Sequence, residues 1–120
     1  MAELQFAPGT GTRAAEALAD LARATNAEPG CRRYVAARDL ADPDRFHLSE
    51  LWDDIAALAD HFATPHMAVF SATAQVLGYS APFLKRIAIA ELGELKPAEL
   101  KSLRGAACEP QLRKGKSGSC

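Results

Sequence analysis

The sequence predicts an α+β fold, on three observations. Segments with the two-residue apolar alternation of strands occur in the same chain as segments with helical apolar stripes. Turn-forming residues separate these segments at short intervals, and some helical segments begin with residues typical of helix starts. The chain has 120 residues, of which 48% are hydrophobic and 24% are charged, and these values are typical of one globular domain.

The first two predicted elements are a strand and a helix. Residues 2–6 are predicted to form a short strand, and a loop rich in Pro and Gly follows it. A helix is predicted over residues 13–27 with Thr12 as its N-cap, because a Thr side chain can accept from a free N–H group of the first turn. Pro29 and Gly30 end this helix. One side of it is apolar or small, with Ala14, Leu18, Leu21, Ala22 and Thr25.

A hairpin is predicted next, with strands over residues 32–38 and 45–52. The turn-forming stretch DLADPD lies between them. Alternate residues of a strand share a face, so one face of the second strand combines a glutamate with three large apolar residues: Phe46, Leu48, Glu50 and Trp52. An unpaired buried glutamate would be costly. The preferred explanation is a salt bridge to an arginine such as Arg33, within the chain or in a second copy of it; the alternatives are that Glu50 acts as a base or orients a histidine.

Two helices and a strand complete the pattern. The first of these helices is predicted to begin at Asp53 and to have an apolar stripe of Ile55, Leu58, Ala59 and Phe62. In the second helix, Thr64 is the predicted N-cap, Pro65 the first residue and Gly78 the end. Its inward residues are predicted to be Met67, Phe70, Ala74 and Leu77. The last strand is predicted over residues 83–92.

The element order predicts a ferredoxin-like βαββααβ sandwich. In this plan the helices cover one face of the sheet, and the other face needs a second layer. The economical second layer is another copy of the chain, so we expect a homodimer. The domain is predicted to span residues 1–95, and residues 96–120 form a C-terminal extension with a short helix and a flexible basic tail.

Charge, cysteine usage and hydropathy favour a cytoplasmic protein without a nucleic-acid or membrane partner. The formal net charge is −1, and the basic tail has no interleaved aromatic residues. No apolar run approaches the ~20 residues of a membrane span, and the N-terminus does not resemble a signal peptide. Cys31, Cys108 and Cys120 are an odd number without metal-site spacing, so neither a disulfide framework nor a structural metal is expected.

A longer series of residues has a distinctive order and spacing: Glu28-Pro29-Gly30-Cys31, Tyr34, Asp42-Pro43, Phe46, Glu50, Trp52, His61, Thr64-Pro65-His66 and Phe70. The stretch from Glu28 to Leu77 therefore resembles the antibiotic biosynthesis monooxygenase domain, a group of dimeric α+β barrels that includes quinol monooxygenases. The resemblance implies that two sheets pack into a barrel and that each subunit holds a substrate cavity between sheet and helices. Some members oxygenate quinols or phenolic polyketides with O2 and neither metal nor flavin.

Two branches of this family differ from the sequence at informative positions. A haem-degrading branch uses a helix histidine as iron ligand and a tryptophan ten residues earlier, and the corresponding residues here are Ser71 and His61. No haem is therefore expected. Some polyketide monooxygenases have an asparagine four residues before the strand tryptophan, where this chain has Leu48. The resemblance thus implies no cofactor and no metal, but it does not imply the polyketide mechanism.

Reaction of O2 with an organic molecule without a cofactor requires an electron-rich substrate anion. The protein must supply a base, a donor for the substrate oxygen and an apolar pocket. His66 is the first candidate base, because the start of a helix favours its neutral imidazole; it could equally be a surface histidine. His61 could handle protons or cap its helix. Trp52 and Tyr34 could position substrate oxygens, or they could anchor the core.

The remaining candidates are predicted to contact the substrate: Glu50, Phe46, Met67 and Phe70. Each has a structural alternative, an ion pair for Glu50 and core packing for the other three. The leading hypothesis is a cofactor-independent monooxygenase that oxidises a quinol or hydroxylated aromatic with O2. The alternatives are an isomerase of a small oxygenated metabolite, which another branch of the fold provides, and a dimer that binds a small molecule without turning it over.

Overall fold

The computed structural model of the protein describes residues 1–98, and its element order confirms the predicted α+β plan. The elements are β1 (Ala2–Gln5), α1 (Gly11–Asn26), β2 (Cys31–Arg38), β3 (Arg45–Trp52), α2 (Ile55–Phe62), α3 (Pro65–Val76) and β4 (Ser80–Leu84). The four strands form one antiparallel sheet in the order β2-β3-β1-β4. The predicted bounds of β3 are confirmed, and β2 begins one residue earlier than predicted.

The last strand is shorter than the sequence predicts, and the prediction of a strand over residues 83–92 is wrong. β4 pairs with β1, and this pairing ends where the backbones of Lys85 and Met1 exchange hydrogen bonds of 2.9 and 3.0 Å. A strand requires a neighbour for its N–H and C=O groups. No described strand lies beside residues 86–92, so their apolar alternation produces no strand there.

The chain divides into two units, and the boundary between them follows residue 86. The first unit contains all seven elements. Of the second, residues 87–98 are described; they contain no strand, and Pro97 and Ala98 are helical. The rest of the predicted short helix and basic tail lies outside the described residues, and the predicted domain boundary at residue 95 stays a prediction. Within residues 1–98, no helix is long and apolar enough to cross a bilayer.

The core lies between the helices and one face of the sheet. Apolar side chains from α1 and α3 pack there against alternate residues of the strands, and each fully buried Leu or Phe contributes about 1.5–3 kcal/mol relative to its exposed state. The core residues are Ala2, Leu4, Phe6, Ala14, Leu18, Leu21, Tyr34, Phe46, Leu48, Phe70, Ala74 and Leu77. The predicted stripe of α1 is confirmed at Ala14, Leu18, Leu21 and Thr25.

The start of α1 differs from the prediction. The helix begins at Gly11 with Thr10 at the N-cap position, so Thr12 is not its cap. The Thr10 side chain makes no capping hydrogen bond. Instead the carboxylate of Asp44, in the loop between β2 and β3, accepts from the N–H groups of Gly9 at 3.1 Å and Gly11 at 2.9 Å. Asp44, which is distant in sequence, thus accepts from N–H groups at the start of α1 that have no partner within the helix.

Helix α2 presents an unexpected face to the core. Asp54 is its N-cap and accepts from the Ala57 N–H group at 2.8 Å. Ile55 and Phe62 are 61% and 63% exposed, whereas His61 is only 2% exposed. The predicted apolar stripe is therefore wrong for Ile55, Ala59 and Phe62, which are all exposed. A short amphipathic helix can rotate about its axis when a buried polar side chain finds a partner, and the partner of His61 is described below.

Candidate active site

Three titratable side chains from three different segments meet on the helix side of the sheet. Glu28 follows α1, His61 lies in the last turn of α2, and His66 lies in the first turn of α3. One carboxylate oxygen, Glu28 Oε2, lies 2.7 Å from His61 Nδ1 and 2.6 Å from His66 Nε2. We call these three residues the Glu28 cluster.

The turn that carries Glu28 is held from two directions. Asn26, the last residue of α1, accepts from the Tyr34 N–H group and donates to the Tyr34 C=O group, at 3.0 and 2.9 Å. Gly30 has a φ of +81°, a conformation that residues with side chains rarely adopt, and its C=O group accepts from the Asp53 N–H group at 2.8 Å. A Cβ atom on Gly30 would lie 2.6 Å from Ala57. The turn therefore packs closely against the start of α2.

The two histidines are held by the junction between α2 and α3. The hydroxyl of Thr64 donates to the His61 C=O group at 2.7 Å and accepts from the Met67 N–H group at 3.3 Å. Pro65 occupies the first position of α3, as predicted, and Thr64 is its N-cap. The short Thr-Pro connection thus sets the separation of His61 from His66, and a sequence signal for a helix start also positions two imidazoles.

The charge of Glu28 determines where the histidines carry their hydrogens. Burial opposes ionisation of this carboxyl, but hydrogen bonds from His61 and His66 outweigh that effect and hold the pKa of Glu28 below its usual range. An ionised carboxylate only accepts, so His61 Nδ1 and His66 Nε2 carry the hydrogens. In neutral rings, His61 Nε2 and His66 Nδ1 then carry lone pairs. Neither has a hydrogen-bond partner among residues 1–98.

Two aromatic side chains pack around His61. The ring centroid of Trp52 lies 4.9 Å from that of His61, and the Tyr34 centroid lies 5.7 Å away. The indole N–H group of Trp52 donates to Glu50 at 3.0 Å. Glu50 therefore pairs with Trp52, and within the described part of the chain it forms no ion pair with Arg33 or any other residue. The predicted ion pair of Glu50 with an arginine is therefore not found within the described part of one chain, and such a pair across a dimer stays a prediction.

Tyr34 brings a hydroxyl group to the same region. Burial, together with the nearby negative charge of Glu50, raises the pKa of Tyr34 well above its usual range. The phenol therefore stays protonated and can donate. Its hydroxyl has no hydrogen-bond partner in the part of the chain that the structure describes, although the residue is only 3% exposed. A ligand oxygen could satisfy this donor.

A groove gives access to the Glu28 cluster. It has a volume of about 410 Å³ and lies between α1 and α3, and His66 and Phe70 are part of its wall. Its other lining residues are Arg13, Glu16, Ala17, Asp20, Leu21, Val69 and Thr73. His66 is half-buried, so it connects the buried carboxylate of Glu28 with solvent in the groove. The wall of this groove consists of residues of the two helices and includes no strand residue, so the cavity predicted between sheet and helices stays a prediction.

The structure brings together most, not all, of the predicted site residues. His61, His66, Trp52, Tyr34 and Glu50 are linked by the contacts above, and Phe70 joins them through the groove. Met67 is partly buried against the core. Phe46 lies six residues from Trp52 along β3, roughly 20 Å away. It packs edge-to-face on Phe6 at 5.8 Å, under the Arg38 guanidinium at 5.5 Å, so its predicted contact with substrate stays a prediction.

Sequence reasoning gave Glu28 no chemical role. The residue is part of the motif on which the resemblance rests, but it is 33 and 38 residues from its two histidines. The only signal that could have identified it is chemical. A buried histidine on a short helix requires a partner, and Glu28 is the carboxylate in the turn that precedes the hairpin.

The fold is that of a ferredoxin-like α+β domain, and the histidine–carboxylate cluster is its candidate small-molecule site. A family model described as antibiotic biosynthesis monooxygenase matches residues 1–73. The chain therefore belongs to the antibiotic biosynthesis monooxygenase family, as the resemblance predicted. No curated protein matches the chain in sequence.

Solved structures similar to the chain support the same assignment. A putative antibiotic biosynthesis monooxygenase from Deinococcus radiodurans is 26% identical with a TM-score of 0.60, over 77% of this chain and 95% of that one. The protein PA3566 from Pseudomonas aeruginosa is 32% identical with a TM-score of 0.63, over 72% of this chain and 90% of that one. A putative family member from Nitrosomonas europaea, 20% identical with a TM-score of 0.62, supports the fold alone.

Proposed function

We propose that the protein is a cofactor-independent monooxygenase that oxidises a quinol or another hydroxylated aromatic with O2. The observation that carries the proposal is the single oxygen of Glu28 shared by two imidazoles. This arrangement fixes both ring orientations and gives each neutral histidine one unshared lone pair. Carboxylate-oriented histidines are suited to act as general bases near neutral pH.

His66 is the proposed base, because it lines the groove through which a substrate can approach. Its Nδ1 atom takes the proton of a phenolic hydroxyl, and the Tyr34 hydroxyl donates a hydrogen bond to a substrate oxygen. The resulting phenolate passes one electron to O2, and the two radicals combine to form a C–O bond. The O–O bond then breaks, and the outer oxygen leaves as water. The two hydrogens of this water come from the phenolic hydroxyl and from the ring carbon that formed the C–O bond. Phenol and O2 thus give quinone and water.

The surroundings of the cluster support an aromatic substrate. Phe70 in the groove and Trp52 beside His61 offer aromatic surfaces for stacking. Leu21, Val69 and Phe70 form the apolar part of the groove wall, and apolar surface of this kind limits the access of water to a substrate anion. In this proposal His61 is the second proton carrier, and Glu50 orients Trp52.

We further propose that the active form is a homodimer. The helices pack on one face of the sheet, and Val35 on β2 remains 37% exposed in the single chain. A second sheet packed on the open face would bury it. Sedimentation analysis tests this proposal, because a monomeric chain at assay concentration would contradict it. The cytoplasmic location likewise stays a prediction.

The deciding experiment is O2 consumption by metal-stripped protein with a panel of quinols and polyhydroxylated aromatics. We expect uptake above autoxidation that falls by roughly 10²-fold in His66→Gln, because general base catalysis contributes about that much or more. His47→Gln is the matched control, since His47 also contacts a carboxylate at 2.7 Å but lies outside the cluster.

Absence of uptake across the panel, or equal uptake by His66→Gln, would contradict the proposal. Ligand-dependent thermal stabilisation without uptake would then favour a binding protein. Conversion of a small oxygenated metabolite without uptake would favour an isomerase.

A further inference from the structure

We propose that Glu28, His61 and His66 form a binding site for one divalent ion of the late first transition row, such as Co2+, Ni2+ or Zn2+. The proposal concerns binding alone and does not rest on the proposed oxygenase activity. It goes beyond the cofactor-free reaction proposed above, because it gives the same three side chains a second ligand.

The ligand atoms are already close enough to share one ion. Glu28 Oε2, His61 Nδ1 and His66 Nε2 all lie within 4.8 Å of one another, and the oxygen is 2.7 and 2.6 Å from the two nitrogens. Nitrogen and oxygen ligands of such ions lie about 2.0–2.2 Å from the metal. Adjacent ligands are then roughly 3 Å apart, so the ion requires only small movements to replace the two bridging hydrogens.

The donor set selects the class of ion. Two imidazole nitrogens and one carboxylate oxygen suit the late first-row ions, whereas Mg2+ and Ca2+ prefer sites made of oxygen atoms. Three protein ligands also leave at least one coordination position open for water or another small ligand. His66 is half-buried and lines the groove, so the ion has a path to the site.

Binding requires each imidazole to change tautomer. His61 Nδ1 and His66 Nε2 must lose their hydrogens to coordinate the ion, and in neutral rings the hydrogens move to His61 Nε2 and His66 Nδ1. These two atoms have no hydrogen-bond partner among the described residues, so the change breaks no hydrogen bond on that side of either ring. The metal-bound form therefore has no lone pair on His66 Nδ1, and it cannot use that atom as a base.

The test is a titration of the metal-stripped full-length protein with Co2+, monitored by the visible absorption of the ion and by equilibrium dialysis. We expect one more bound Co2+ in the unaltered protein than in His66→Gln or Glu28→Gln. We also expect Zn2+ to displace this ion. His47→Gln should bind as the unaltered protein does. Any ion held by the three cysteines is common to all variants and cancels in the difference.

A second readout requires no variant. The ring NMR signals of His61 and His66 should shift strongly on addition of one equivalent of Co2+, while those of His47 should not. The proposal is overturned if the histidine signals of the cluster do not change, or if folded His66→Gln and Glu28→Gln bind as much Co2+ as the unaltered protein. Neither readout involves substrate or O2, so their outcome is independent of the oxygenase assay.

Discussion

Residues 1–98 contain two histidine–carboxylate groups with similar hydrogen-bond lengths of 2.6–2.7 Å. The two groups differ in their numbers of histidines and carboxylates. In the Glu28 cluster, one carboxylate lies between two histidines and His61 is nearly inaccessible to solvent. The second group lies on the open face of the sheet, where His47 is 2.7 Å from Asp39 and 3.7 Å from Glu3, with 43% of its side chain exposed. Here one histidine lies between two carboxylates.

This difference determines the surroundings of the ring nitrogens. Both ring nitrogens of His47 face carboxylates, at 2.7 Å for Nε2 and 3.7 Å for Nδ1, although only the first distance is that of a hydrogen bond. The Glu28 cluster has one acceptor for two rings, so each ring keeps one nitrogen that has no carboxylate within 4.0 Å among residues 1–98. Burial adds a second difference, because an exposed ion pair contributes little to stability, whereas a buried one is costly to break. A short hydrogen bond to a carboxylate is therefore not by itself evidence of a functional histidine.

The largest expected effect is on stability. Glu28→Ala removes the acceptor that two imidazole N–H groups share among residues 1–98, and it should lower the free energy of unfolding by about 3 kcal/mol. Asp39→Ala removes the nearer carboxylate partner of His47 and should change the free energy of unfolding little. Urea denaturation of both variants measures the contrast. Similar losses of unfolding free energy in the two variants would show that burial does not make the Glu28 cluster more important for stability than the His47 group.

The next effect is inhibition by zinc. One equivalent of Zn2+ should reduce the O2 uptake of metal-stripped protein by roughly 10²-fold, since the metal-bound tautomer removes the base whose contribution is of that order. EDTA should restore the activity, and His47→Gln should be inhibited like the unaltered protein. Full activity with Zn2+ bound at the cluster would refute the tautomer explanation.

Acidification should reduce the contribution of both histidine–carboxylate groups to the free energy of unfolding. The pKa of Glu28 is lower in the folded state than the usual 4.5, because the hydrogen bonds of His61 and His66 outweigh burial, which acts in the opposite direction. Its stabilising contribution is present above pH 4.5 and disappears as the pH falls through the folded-state value. The hydrogen bond from His47 likewise lowers the pKa of Asp39 from 3.8.

The two groups can be separated by their variants. Urea midpoints of metal-stripped protein should fall on acidification from neutral pH to about pH 3. Glu28→Gln should flatten this pH dependence of the urea midpoint more than Asp39→Asn does, because the Glu28 side chain is 10% exposed and that of Asp39 is 24% exposed. A steeper pH dependence of the urea midpoint in Glu28→Gln would contradict the lowered pKa of Glu28.

The smallest expected effect tests whether a polar side chain lowers stability because it is buried or because it lacks a hydrogen-bond partner. Thr25 is completely buried on α1, and its hydroxyl has no hydrogen-bond partner in the described structure. Thr25→Val keeps the shape and the β-branching, so it should stabilise the protein by about 1 kcal/mol. Thermal unfolding measures the change, with Thr64→Val as the partnered comparison. Stabilisation by Thr64→Val, which loses two hydrogen bonds, would contradict this account.

The sequence predicted elements that are specified by neighbouring residues. The Thr-Pro signal located α3, and alternation with turn residues located the β2–β3 hairpin, because capping and turn chemistry act over a few residues. The order of elements then predicted the fold class. The distinctive residues between Glu28 and Leu77 also predicted the family.

The tertiary structure alone decided the features that depend on distant partners. Asp44 rather than Thr12 caps the start of α1, and His61 rather than Phe62 is the buried residue of α2. Two turns of helix contain too few residues to define a face by periodicity, so the partner of His61 determines the rotation. That partner, Glu28, is 33 residues away. Periodicity carries no information about such a pairing, because it arises only when three separate segments pack together.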